Sequence, residues 1–128
     1  MNIKQWEGAV TLPVSIKITK ELLMAYAAAT GTDHTATEEL KHVPPALPMI
    51  FYQYMSVPWL DGQSFIHKEQ TFVYEYPISI GDLLQCTISL NSVEKRRQFL
   101  VLHQELIGKN EQNQMVFSAK SILLKEAE

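Results

Sequence analysis

Two places in this 128-residue chain bring together side chains that can move protons. In "YAAATGTDHTATEEL", Asp33 and His34 stand side by side just past Gly31. A carboxylate and an imidazole within reach of one water or one substrate atom make a general acid–base pair. Adjacent side chains in an extended loop point apart, so ordinary loop polarity is the competing reading. The second place is "IHKEQTF", where His67 and Glu69 sit two apart in an alternating stretch and therefore share one strand face. Elsewhere, Cys86 alternates with Leu84 and Ile88 and reads as a small buried apolar residue. Asp82 follows Gly81 and reads as a turn residue, while His42 and His103 have no visible partner.

Composition bounds what these groups can do. Hydrophobic residues make up 46% and charged residues 20%, an ordinary composition for one domain with a real core. A net charge of −3 argues against a nucleic-acid surface, and the one basic cluster, Lys95-Arg96-Arg97, reads as a solvated hairpin tip. One cysteine excludes an internal disulfide, and four histidines beside it give no zinc spacing. The start "MNIKQWEGAV" lacks the apolar core of a signal peptide, and no apolar run reaches the ~18 residues of a membrane helix. A cytoplasmic protein is the expectation, with no metal.

The elements that position these residues follow from periodicity. Residues 12–19 alternate as a short strand. Thr19 then caps a helix through "KELLMAYAAAT", with Glu21 in its first turn, and Gly31 stops it. "HVPPALPMIFYQYM" places a second helix from Pro45 or Ala46 through Met55, because proline is tolerated only in a first turn. That stretch is apolar almost all round, so a helix wrapped by other structure is expected. From Phe65 the period is two: "FIHKEQTFVYEYP", "LLQCTISLN", "QFLVLHQELI" and "MVFSAKSILLK" read as long antiparallel strands. A sheet curled round one helix leaves edges to cover, which implies a dimer.

Three stretches carry a resemblance. "ITKELLMAYAAATG", "VPPALPMIFYQYM" and above all "IHKEQTFVYEYPISIGDLLQCTISL", with its Pro77-x-x-x-Gly81-Asp82 turn after an aromatic strand, resemble the MaoC-like (R)-specific enoyl-thioester hydratases and dehydratases. The likeness is closest to the N-terminal, non-catalytic half domain of that family and runs over about residues 14–124. It implies an α+β hot-dog fold: an antiparallel sheet of about five strands wrapped around a long central α-helix. It also implies acyl-CoA or acyl-carrier-protein thioesters as substrate and no cofactor. The implied assembly is a homodimer, or a heterodimer with a catalytic MaoC-like chain.

The resemblance also locates what is missing. In catalytic members a Gly-Asp-x-Asn-Pro-x-His motif follows the first helix, and its Asp and His handle the water and the protons. Laid on "GTDHTAT", Gly31 matches, but the Asp falls on Thr32 and the His on Thr37. A hydroxyl titrates too far from neutrality to do either job. Asp33 and His34 remain contingent substitutes. Beside this, the Pro-led helix start would offer the amides of Ala46, Leu47 and Met49 to a thioester carbonyl. Phe51, Tyr54, Phe72 and Tyr74 would surround the acyl chain, and His67 would touch the pantetheine arm or a partner. Three functions fit: a binding subunit relying on a partner's Asp and His, a self-sufficient homodimeric hydratase using Asp33 or His34, or a non-enzymatic acyl-thioester-binding protein.

Overall fold

The computed structural model describes residues 2–30 and 43–127. Among them, five strands form one antiparallel sheet: β1 (Val14–Lys17), β2 (Ile66–Tyr74), β3 (Leu83–Arg96), β4 (Phe99–Lys109) and β5 (Met115–Glu126). The order across the sheet is β1-β3-β4-β5-β2, so β3, β4 and β5 make the central meander and β1 and β2 the edges. The alternation that announces β3 is realised in full: Leu84, Cys86, Ile88 and Leu90 are buried, and Gln85 between them is exposed. Both long hairpins close tightly, with Arg97 (φ 56°) and Asn113 (φ 61°) at the turns. β3 runs on through Lys95 and Arg96, further than its apolar alternation extends.

Helix α1 (Lys20–Thr30) begins where Thr19 Oγ1 accepts the Leu22 amide at 3.1 Å. Its Leu22, Leu23 and Ala27 face the core. The turn before β3 is built as its residues require. Gly81 takes φ +100°, Asp82 Oδ2 accepts the Ser79 amide at 2.8 Å, and Gly81 N–H donates to Ile18 at 2.7 Å.

The central helix departs from the expected long α-helix. It is a 3-10 helix of eight residues, Leu47–Tyr54. Prolines 45 and 48 remove donors at its start, and Met55 already has extended angles (φ −124°, ψ 146°) before Pro58. So short a window gives an α-helix little to gain, and the tighter form fills it. Nor is the helix wrapped all round. Leu47, Ile50 and Phe51 are buried while Tyr54 is half exposed.

His67 and Glu69 do not share a strand face as their spacing predicts. β2 pairs His67 with Leu123 and Glu69 with Ile122, so Lys68 is an extra residue in a bulge. Leu123 and Ile122 are consecutive and point to opposite faces; their partners His67 and Glu69 do the same.

The N-terminal segment protects the sheet where β1 stops. A short 3-10 turn (Ile3–Trp6) buries Ile3 against the end of the core. Just after it, Glu7 Oε2 accepts the Val93 amide at 2.7 Å and Lys4 Nζ donates to the Val93 carbonyl at 2.9 Å. The two side chains are themselves paired at 2.9 Å. Together they occupy one backbone position of β3 that no strand covers.

Candidate functional site

The concave face of the sheet is laid out in rows by the pairing register. One row is Tyr74, Phe117, Gly108 and Cys86; the next is Phe72, Ala119, Leu106 and Ile88; the third is Gln70, Ser121, Gln104 and Leu90. In the first row, Phe117 lies flat over β4 because Gly108 has no side chain. A Cβ there would meet the Phe117 ring at 2.1 Å. Phe51 packs edge-on against that ring at 5.9 Å, and Tyr74 lies 6.1 Å from it on the other side.

Tyr74 ties this row to the start of the central helix. Its hydroxyl donates to the Pro45 carbonyl. Burial, and then the neighbouring Tyr26 of α1, push the phenol up to about 12, so it stays a donor at every working pH. Beside it opens a pocket of about 200 Å³ lined by Val43, Pro45, Tyr74, Pro77 and Ile78.

The amides proposed for a thioester carbonyl are not equivalent. Leu47 N–H donates to Pro44 at 3.0 Å and Met49 N–H to Ala46 at 3.1 Å, so turns use both. Ala46 N–H donates to no acceptor among the described residues. It is the donor this end of the helix has to offer. Phe51 and Tyr74 meet through Phe117, and Phe72 lies two residues before Tyr74 on the same face of β2. Tyr54 lies apart from them, in a groove of about 420 Å³ with Val14, Ile16, Thr19 and Leu22. His67 is exposed near the far end of β2, about 23 Å from Tyr74 at the usual strand rise. Thr32, Asp33, His34 and Thr37 lie outside the described residues. Cys86 is fully buried, and desolvation drives its thiol up to about 12, far from a nucleophile's range.

One cluster escapes sequence reading altogether. Trp59 Nε1 donates to Gln104 Oε1 at 2.9 Å, and Gln104 Nε2 donates to the Tyr52 hydroxyl at 3.2 Å. Tyr52, raised by burial, also bonds Ser121, whose own hydroxyl donates to Gln70 Oε1 at 2.5 Å. Gln104 and Ser121 are almost completely buried. The chain of bonds ends at Gln70 Nε2, which is sealed from solvent and has no acceptor. The sequence separations, 45, 52 and 51 residues, leave no local signal.

Among the described residues no three His, Cys, Asp or Glu side chains gather as a metal site, and no helix is long and apolar enough to cross a membrane.

Known proteins share this architecture. One chain of the HadBC (3R)-hydroxyacyl-ACP dehydratase complex from Mycobacterium tuberculosis superposes with a TM-score of 0.75 at 20% identity, covering 94% of this chain and 97% of that one. The R-hydratase PhaJ1 from Pseudomonas aeruginosa matches with a TM-score of 0.64 at 15% identity, over 95% and 83%. A chain of the ChsH1–ChsH2 complex from M. tuberculosis gives 0.63 at 13% identity, over 98% and 92%. No curated protein matches the chain. The family model for the FAS1-like dehydratase domain region matches residues 5–119, nearly the whole chain. The chain therefore belongs to the FAS1-like dehydratase-region family, and its sheet is the hot-dog fold of the MaoC-like hydratases and dehydratases.

Proposed function

We propose that the chain is the substrate-binding, non-catalytic subunit of an (R)-specific 3-hydroxyacyl-thioester dehydratase or enoyl-thioester hydratase. A partner chain of the same fold would supply the catalytic Asp and His. The observation that carries this reading is the chemistry of the pocket beside Tyr74. Among the described residues its lining holds a hydroxyl pushed up to about 12 and no carboxylate or imidazole. With the Tyr74 hydroxyl spent on Pro45, the neighbouring Ala46 amide is the donor left for a carbonyl, and these groups cannot take a proton from C2 or return one near neutrality. The threonines at positions 32 and 37 agree with it.

An edge strand of the sheet supports the partner reading. β2 is a nine-residue edge strand with a free backbone edge and exposed Ile66 (60%) and Val73 (45%). A second chain pairing there through a two-fold or pseudo-two-fold axis would run its own edge strand antiparallel to β2. Its residues would then face the half-buried inner side of Phe72 and Tyr74. In this picture the substrate is an acyl-CoA or acyl-carrier-protein thioester, and this chain's share of the reaction uses neither metal nor redox cofactor. The test is reconstitution with a MaoC-like chain whose Asp and His motif is intact. Co-purification as a complex, with kcat/KM for enoyl thioesters at least tenfold above the catalytic chain alone, is expected. A mixture that stays dissociated and gains no activity would overturn the assignment.

A further inference from the structure

We infer that the open edge of β1 is a docking groove for an extended peptide segment of a partner protein, which pairs there as an added strand. The recognised segment alternates apolar and polar residues and carries a carboxylate opposite Lys17. The inference stands apart from the acyl-thioester reading and from the partner on β2, because β1 is the other edge of the sheet.

The register of β1 decides which of its backbone groups are spent. Val14 pairs with Cys86 and Ile16 with Leu84. The same register continues to Ile18, whose amide donates to the Asp82 carbonyl at 2.8 Å and whose carbonyl accepts from Gly81 at 2.7 Å. Backbone groups alternate in direction along a strand, so those of Val14 and Ile16 also point at β3. Those of Ser15 and Lys17 point the other way, out of the sheet's open edge. Both residues line the groove of about 420 Å³, whose apolar wall is Val14, Ile16, Leu22 and Tyr54. Tyr54 is 50% exposed there, and Leu12, two residues before β1, is 85% exposed. Spare edge donors and acceptors beside an apolar groove suit an extended peptide: main-chain bonds give affinity, and alternate side chains select.

An antiparallel strand about 4.8 Å beyond β1 has its pattern fixed by this edge. Residues opposite Ser15 and Lys17 exchange both backbone bonds with them and share their exposed outer face. Residues between these lie on the inner face with Val14 and Ile16, so the inner positions are apolar and the outer ones polar. Charge fixes one of the outer positions. The two ion pairs among the described residues are Lys4–Glu7 and Arg96–Glu94, which leaves the exposed Lys17 ammonium unpaired. A carboxylate directly across from it is the complementary group. Glu21 also lines the groove, from α1, so a second carboxylate at an inner position would meet like charge. The segment is short, since β1 spans four residues and Pro13 before it has no N–H to donate.

The experiment measures binding of fluorescently labelled, amidated pentapeptides to the purified full chain by anisotropy. Val-Asp-Val-Thr-Val sets its aspartate opposite Lys17 and its threonine opposite Ser15, and Val-Thr-Val-Asp-Val exchanges them. The first is expected to bind about threefold tighter or more, a preference that Lys17→Glu reverses. Methylating the backbone nitrogens of the aspartate and threonine is expected to weaken binding about tenfold. Methylating the central valine nitrogen, which faces away from β1, leaves it within about twofold. Ser15→Pro removes an edge donor that the β1–β3 ladder does not use, and is expected to weaken binding about tenfold. The methylation pair is read on the unaltered chain, so it decides the matter even where that variant fails to fold. Three results would each overturn the docking groove: no binding at millimolar peptide, equal affinity for the two sequences, or equal loss from either methylation. Self-association of the chain that Ser15→Pro abolishes and the peptides do not compete with would overturn it too, because the edge would then belong to a second copy.

Discussion

Gly108 shows how much of this interior depends on single atoms. Its missing side chain is what lets the Phe117 ring cross β4 and meet both Phe51 and Tyr74. Gly108→Ala places a Cβ 2.1 Å from that ring, so ring or strand must shift. We expect a loss of about 1–3 kcal/mol, the usual cost of overpacking, measured as a lower urea midpoint with an unchanged m-value. Some residue roles were legible in the sequence. Cys86 is buried as its alternation required, and Asp82 closes its own turn on Ser79. The relay through Gln104 and Ser121 was not, because the two lie on strands whose alternation announces only that they face inward. What they bond, Trp59, Tyr52 and Gln70, arrives from elements some fifty residues away. Likewise, sequence spacing grouped Tyr54 with Tyr74, and only the path of the central helix separates them.

At the scale of elements, the strands were readable because burial on one face imposes a strict period of two, and β3, β4 and β5 keep it over long runs. The period breaks where a bulge inserts a residue, which is why His67 and Glu69 appeared to share a face. The central helix was misjudged in length because an apolar run between prolines looks the same whether it winds as an α- or a 3-10 helix. The N-terminal segment carried no periodicity, yet it caps the exposed part of β3 through Glu7 and Lys4. The Val93 amide first, then Lys4, holds the Glu7 carboxyl below its ordinary value. The sign follows from linkage. A folded-state pKa lower than the unfolded one contributes stability above the unfolded value of about 4.3, and that contribution is lost as pH falls through the folded value. Glu7→Gln should therefore lower stability near neutrality and flatten the acid side of the stability profile below about pH 4.3, both read from urea midpoints across pH. An unaltered acid limb would mean the Glu7–Val93 bond does not persist in solution.

At the scale of the whole molecule, the described residues form one sheet with an edge strand on each side. That sheet ends in the edge strand β2, Phe72 and Tyr74 are half-buried along that edge, and among the described residues the pocket beside Tyr74 is lined by nothing that titrates near neutrality. Fold and family were both legible, since the Pro-led helix start and the Pro-x-x-x-Gly-Asp turn belong to the chain's architecture. The proposed division of labour with a partner rests, in the sequence, on two threonines, Thr32 and Thr37, where the resemblance to the catalytic members puts acid and base. The most direct test is hydration of enoyl-thioesters by this chain alone, over short and medium acyl lengths, with folding verified in the same preparation. The expected result is no turnover above buffer, together with measurable thioester binding. Turnover by the chain alone, abolished in folded Asp33→Ala or His34→Ala, would contradict the binding-subunit assignment and make the chain an enzyme in its own right.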